Sequence, residues 1–121
     1  NIFLPEKKLK KQIMSIQTDS KPLESSKDPN KCNVFAIYSL LADKPSVEEL
    51  RLKYETGGMG YGYAKQQLFD CILRNFAKER QFYNHLHQNP EEVHIALAKG
   101  AEKARKIARE VLLRVRDKVG Y

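Results

Sequence analysis

Residues 57–87 read Gly-Gly-Met-Gly-Tyr-Gly and then Tyr-Ala-Lys-Gln-Gln-Leu-Phe-Asp-Cys-Ile-Leu-Arg-Asn-Phe-Ala-Lys-Glu-Arg-Gln-Phe-Tyr-Asn-His-Leu-His. The second part decides the fold. Ala64, Leu68, Cys71, Ile72, Phe76, Tyr83 and Leu86 recur at helical spacing. This predicts one long helix from Tyr63 to about His87, ended by Asn89-Pro90. The first part decides where the chain turns. Four of the six glycines fall in Gly57-Gly58-Met59-Gly60-Tyr61-Gly62, an elbow that needs unusual backbone angles or room for a close approach. It has no preceding strand and no Gly-Lys-Ser/Thr ending, so it does not read as a phosphate loop.

Outward from this elbow, everything reads as helix or connector. On its N-terminal side, Ser46-Val47-Glu48-Glu49 matches a capping box. The helix it opens carries Val47, Leu50 and Tyr54 and stops at Gly57, a suitable C-terminal cap. Residues 30–42 are apolar nearly all round, which predicts a central helix with Asp28 as its N-cap and Pro29 at its first position. Residues 17–29 are a polar connector whose prolines and serines deny it regular structure. Residues 5–16 read as a short amphipathic helix with Leu9, Ile13 and Ile16 on one face and Pro5 at its start. The last helix runs from about Glu91 to Val119 on Val93, Leu97, Gly100, Ala104, Ala108, Val111, Val115 and Val119. Its small residues are expected to let a neighbouring helix come close. The fold class is therefore all-α: a helical bundle of about four main helices plus a short leading one.

Bulk properties narrow the function. The 121 residues suit one modest domain or a piece of a larger protein, and the start at Asn1 rather than Met favours a piece. Hydrophobic content of 41% beside 31% charged residues is ordinary for a globular chain. No run of about 18 apolar residues occurs, and Ile2-Phe3-Leu4 is too short for a signal-peptide core. Cys32 and Cys71 stand alone in apolar stretches and read as small buried hydrophobes in a reducing compartment. The net charge of +7 is spread along the chain, with the last helix leading. Such a surplus suits a polyanion such as nucleic acid, although lysines and arginines on helices also serve simply as a solvated face.

No enzyme chemistry converges. The cysteines form no metal-binding pair, and His85 and His87 point to different helix faces. Glu48/Glu49 and Glu91/Glu92 read as first-turn acids that complement helix dipoles. The remaining candidate is an RNA surface. Lys65, Arg74 and Lys78 lie on the long helix; Lys99, Lys103, Arg105, Lys106 and Arg109 lie on the last one. Lys99, Lys103 and Lys106 share a face. Tyr61 and Tyr63 are the aromatic pair expected to be exposed for stacking on unpaired bases, whereas Phe76 and Tyr83 read as core.

Four motifs now carry a resemblance: Thr18-Asp19-Ser20; Cys32-Asn33-Val34-Phe35-Ala36-Ile37-Tyr38; Tyr54-Glu55 with Gly57-Gly58, Gly60-Tyr61-Gly62 and Lys65; and Gly100-Ala101-Glu102-Lys103-Ala104. In this order and spacing they resemble the C-terminal part of bacterial tryptophanyl-tRNA synthetase, a class I aminoacyl-tRNA synthetase. The resemblance implies an upstream Rossmann-type domain that binds ATP, with magnesium, and tryptophan, and attaches the amino acid to its tRNA. The family's His-Ile-Gly-His-like and Lys-Met-Ser-Lys-Ser signatures are not in this chain, so no catalytic, cofactor or metal residue is expected here and the piece alone should be inactive. Residues 1–27 look like the return helix and linker from that domain, and 28–121 like the helical anticodon-binding domain. The resemblance further implies a cytoplasmic protein that is a homodimer at full length, a monomeric isolated piece, and a tRNA partner rather than DNA or membrane. Lys65 and Lys103 match family positions; with Lys99, Arg74, Tyr61 and Tyr63 they form the expected tRNA-binding set. The competing reading is a free-standing helical protein-interaction module, using Gly100, Ala104 and Ala108 as a groove for a partner helix.

Overall fold

The structure, a computed structural model, describes residues 1–120. It is all-α as expected, with no strand among the described residues. The helices are α1 (Glu6–Met14), α2 (Asn33–Leu41), α3 (Lys44–Thr56), α4 (Tyr61–Asn75), α5 (Ala77–Gln88) and α6 (Pro90–Val119), with a single 3₁₀ turn at Pro29–Lys31. They fall into two compact units, Asn1–Arg80 and Gln81–Tyr121.

In the first unit α4 is the hub. Both α1 and α2 pack against it, and α3 packs on α2. Leu9 and Ile13 of α1, Val34, Phe35 and Tyr38 of α2, Leu50 and Tyr54 of α3, and Leu68, Cys71 and Ile72 of α4 form one core. Each fully buried aliphatic side chain here contributes about 1.5–3 kcal/mol. Two polar ties close the ends of the packing. Asn75 donates to the Leu41 carbonyl at 2.6 Å, joining the C-termini of α4 and α2. Arg80 donates to the carbonyls of Ile2 and Leu4, fixing the N-terminal turn.

Several local expectations shift. The helix expected over Tyr63–His87 is two helices, parted at Phe76, which packs on the core with φ −110° and ψ 21°, outside the helical range. Ser46 does not cap α3. The helix begins at Lys44, since Pro45 needs no N–H partner in a first turn, and Ser46 Oγ instead donates to Asp43 at 2.7 Å. Glu48 and Glu49 consequently lie beyond the first turn. Asp28 does cap, accepting from the Asn30 N–H at 2.9 Å, but the turn it caps is the 3₁₀ turn. The nine-residue α2 buries one face only, leaving Leu40 84% exposed.

The second unit holds α5 from Gln81 onward and the 30-residue α6. His85 and Glu92 pair at 2.9 Å across the Asn89-Pro90 turn, and Glu91 and Glu92 do lie in the first turn of α6. Gly120 ends α6 in the left-handed conformation, φ 80° and ψ 31°, with its N–H on the Arg116 carbonyl. None of this unit's described residues is buried. Within this unit, a methyl group placed on Gly100 meets no atom of another described residue within 4 Å, the helix's own backbone apart. Tyr83, expected in the core, is 42% exposed and stacks on His87 with ring centres 6.1 Å apart.

Candidate nucleic-acid interface

The glycine elbow is where the first unit presents its chemistry. α3 ends on Gly57 at φ 79°, followed by Gly58 at φ 77°, both in the region that L side chains avoid. The requirement at Gly57 is double: a Cβ would stand 2.4 Å from the Glu24 carbonyl oxygen. The connector thus lies directly on the elbow. The Gly58 N–H donates to Leu23 O at 3.0 Å, and the Lys27 N–H donates to Tyr54 O at 2.7 Å.

Lys27 ties the proline- and serine-rich segment together. It is 3% exposed, yet its ammonium donates to the carbonyls of Pro22, Leu23 and Ser25 at 3.0–3.1 Å. Its charge also lies 5.4 Å from the centre of the Tyr61 ring. A buried ammonium is tolerable only when its donors are satisfied, and the connector wraps its carbonyls around this one. At the outer end, Tyr61 Oη donates to Asp19 at 2.5 Å. That bond holds the Asp19 carboxyl below the usual carboxylate range. Burial first, and then Asp19, push the Tyr61 phenol upward.

The expected tRNA-binding residues therefore divide. Tyr61 is half-buried, edge-on to Tyr54 at 6.1 Å, and occupied by Asp19. Lys65 reaches the C-terminus of α1, donating to the Met14 carbonyl at 2.9 Å. Tyr63, by contrast, is 42% exposed. Lys53 of α3 fixes it in place, donating to Tyr63 Oη at 2.9 Å and to Glu49 at 2.7 Å, with its ammonium 4.9 Å from the ring centre. Glu49 chiefly, then the Tyr63 hydroxyl, push the Lys53 pKa upward, so the ammonium stays charged. Arg74 joins Tyr63 at a polar pit of about 110 Å³ between α2, α3 and α4. Lys99 and Lys103 lie exposed on α6 with Lys106, in the second unit. Sequence reading missed Lys27, Lys53 and Glu49. The i,i+4 spacing of Glu49 and Lys53 was the available signal for the last two.

No family model matches the chain. It is 44% identical over 120 residues to a tryptophan–tRNA ligase of Campylobacter jejuni, covering 99% of this chain and 38% of the relative. It is 41% identical over 120 residues to one of Fusobacterium nucleatum, covering 99% of this chain and 37% of the relative. Among solved structures, the tryptophanyl-tRNA synthetase of Campylobacter jejuni superposes with TM-score 0.93 and 44% identity, covering 100% of this chain and 39% of that one. The same enzyme complexed with ADP and tryptophan gives TM-score 0.94 at 44% identity, covering 100% of this chain and 38% of that one. The chain thus spans less than two-fifths of the length of these relatives, and corresponds to their C-terminal region.

Proposed function

We propose that this chain, homologous over 99% of its length to the C-terminal part of tryptophan–tRNA ligases, is the tRNA-facing part of such an enzyme. In that reading an upstream Rossmann-type domain uses ATP, with magnesium, and tryptophan to charge the tRNA. Residues 1–27 return from that domain and 28–121 receive the anticodon arm. The whole protein acts in the cytoplasm as a homodimer, and the isolated piece is an inactive monomer. The 44% identity over 120 residues, covering 99% of this chain, carries the reading, together with a superposition of TM-score 0.93 on the tryptophanyl-tRNA synthetase of Campylobacter jejuni.

Charge supports the RNA role independently of kinship. A chain of net charge +7 binds a polyanion by releasing counterions, so log affinity falls with log salt by about 0.7–0.9 per phosphate neutralised. The test is binding of a tRNA transcript specific for tryptophan, titrated at several salt concentrations, to the wild type and to Lys65→Glu and Lys103→Glu. The expected result is salt-sensitive binding that Lys103→Glu weakens. Lys65→Glu should weaken it too, and also loosen α1, which Lys65 ties down. Wild-type protein that does not bind the transcript at low salt sinks the proposal. The interaction-module alternative would instead show as RNA-indifferent self-association in sedimentation.

A further inference from the structure

The polar pit beside the elbow has a wall already fixed by the Lys53 bonds to Glu49 and Tyr63, and an open side bordered by Gln67 and Arg74. Tyr38 and Leu50 form its floor, and Ser46, Glu49, Lys53, Tyr63, Gln67 and Arg74 line the rest. A second depression, of about 330 Å³, runs over Gly57–Gly60 next to it, and the two share Lys53 and Tyr63 as their common wall. Building on the tRNA reading, we propose that the pit seats one unpaired nucleotide of the bound RNA, its base on Tyr63 and in the pit, with the flanking backbone passing Arg74 on one side and the glycine elbow on the other.

Four observations point there. The Tyr63 ring is exposed yet immobilised by Lys53, so an aromatic platform is in place before any ligand arrives. Every base has a π-face for such a platform. The pit's polar groups mix donors and acceptors: Lys53 and the Gln67 amide donate, while the Gln67 carbonyl and the Glu49 carboxylate accept. A bare phosphate wants donors only and would be repelled by Glu49, whereas the edge of a base carries both kinds. Thirdly, neither the Arg74 guanidinium nor the Gln67 amide hydrogen-bonds to any other described residue, although both border the pit. Arg74 supplies the fork of donors that phosphate oxygens fit. Finally, Gly58 has no atom within 4 Å of the place where a side chain would begin, which leaves the adjoining depression open to a sugar-phosphate backbone.

The experiment titrates a fluorescent tRNA transcript specific for tryptophan into the full chain and into Tyr63→Ala, Tyr63→Phe and Arg74→Gln, at salt concentrations from about 50 to 200 mM. Tyr63→Ala should raise Kd about tenfold with little change in the slope of log affinity against log salt, as loss of a stacked base does. Tyr63→Phe keeps the ring and should restore most of the loss. Arg74→Gln should reduce the salt slope by about 1, which a merely structural role would not do. Arg74 is exposed, so this variant folds even if Tyr63→Ala loosens α3 against α4. Wild-type affinity and salt slope in both Tyr63→Ala and Arg74→Gln would overturn the nucleotide seat while leaving tRNA binding intact. Failure of the wild type to bind would instead remove the reading beneath it.

Discussion

Helices α4 and α6 advertise the same pattern and meet opposite fates. Both repeat apolar residues at spacings of three and four. Yet α4 buries Ala64, Leu68, Phe69, Cys71 and Ile72, whereas α6 buries none of its described residues and leaves Leu97 64% and Ile107 67% exposed. Periodicity states which face a helix has to offer; it does not state that anything accepts the offer. The two units are consequently held by different forces. Asn1–Arg80 rests on side-chain packing around α4, with a buried lysine closing its connector. In Gln81–Tyr121 the described residues rest on the helical hydrogen-bond ladder itself, helped by the His85–Glu92 pair, two acids in the first turn of α6 and a left-handed glycine at its end.

If that division is right, truncation of a core side chain hurts far more than truncation of an α6 side chain. Tyr54 is 0% exposed, edge-on to Phe35 at 5.4 Å, with its hydroxyl 3.3 Å from Cys32 Sγ. Tyr54→Ala should lose about 3–5 kcal/mol, the range for emptying an aromatic core site. Leu112→Ala, on a side chain 49% exposed, should stay within about 0.5 kcal/mol. Denaturant melts of both variants decide the matter. Similar losses would mean that α6 has a buried face after all, and the contrast with α4 would collapse.

Two glycines sharpen the comparison by sign. Gly57→Ala forces a side chain to φ 79°, costing about 1–3 kcal/mol in backbone strain, and adds an overlap with the Glu24 carbonyl that only movement of the connector relieves. Gly100 sits inside a helix with open space around it. Gly100→Ala should therefore stabilise α6 by up to about 1 kcal/mol. Thermal melts followed by helix content would show one midpoint falling and the other rising. Destabilisation by Gly100→Ala would reveal a close neighbour on α6.

How much of this was legible beforehand follows the same line. The all-helical class, the burial of both cysteines and the glycine stop after α3 were readable, because each rests on residues within a few positions of one another. The break at Phe76 was not, since apolar spacing continues through it and no glycine or proline marks it. The connector lacks regular structure as expected, but what organises it was not legible, for a related reason. Proline and serine do exclude regular structure, but Lys27 organises three carbonyls around itself, and no local pattern announces that. Of the expected RNA contacts, Lys65 and Tyr61 proved engaged in holding α1 and the connector. Tyr63 and Arg74 meet at a pit that also needs Lys53 and Glu49, a juxtaposition made by tertiary packing rather than by spacing.

The smallest expected effect tests whether the connector belongs to the packed unit. The Asp19–Tyr61 bond lowers the Asp19 pKa, so its contribution is present above the unfolded carboxylate value of about 3.9. That contribution is lost as pH falls through the lower folded value. Tyr61 works in the opposite direction. Its raised pKa keeps the phenol a donor, and its contribution fades once pH climbs above about 10, where the unfolded phenol ionises first. The connector's hold on the elbow should thus weaken at both extremes and be flat between. Hydrogen exchange at the Gly58 amide, which donates to Leu23, reads this directly. Asp19→Asn should erase the acid limb, and Tyr61→Phe should erase the alkaline limb and shrink the acid one, which the Lys21 N–H and the charges of Lys21 and Lys27 also support. A Gly58 amide whose protection follows the same acid limb in Asp19→Asn as in the wild type would mean that the bond is incidental. The connector would then be held by Lys27 and its carbonyls alone.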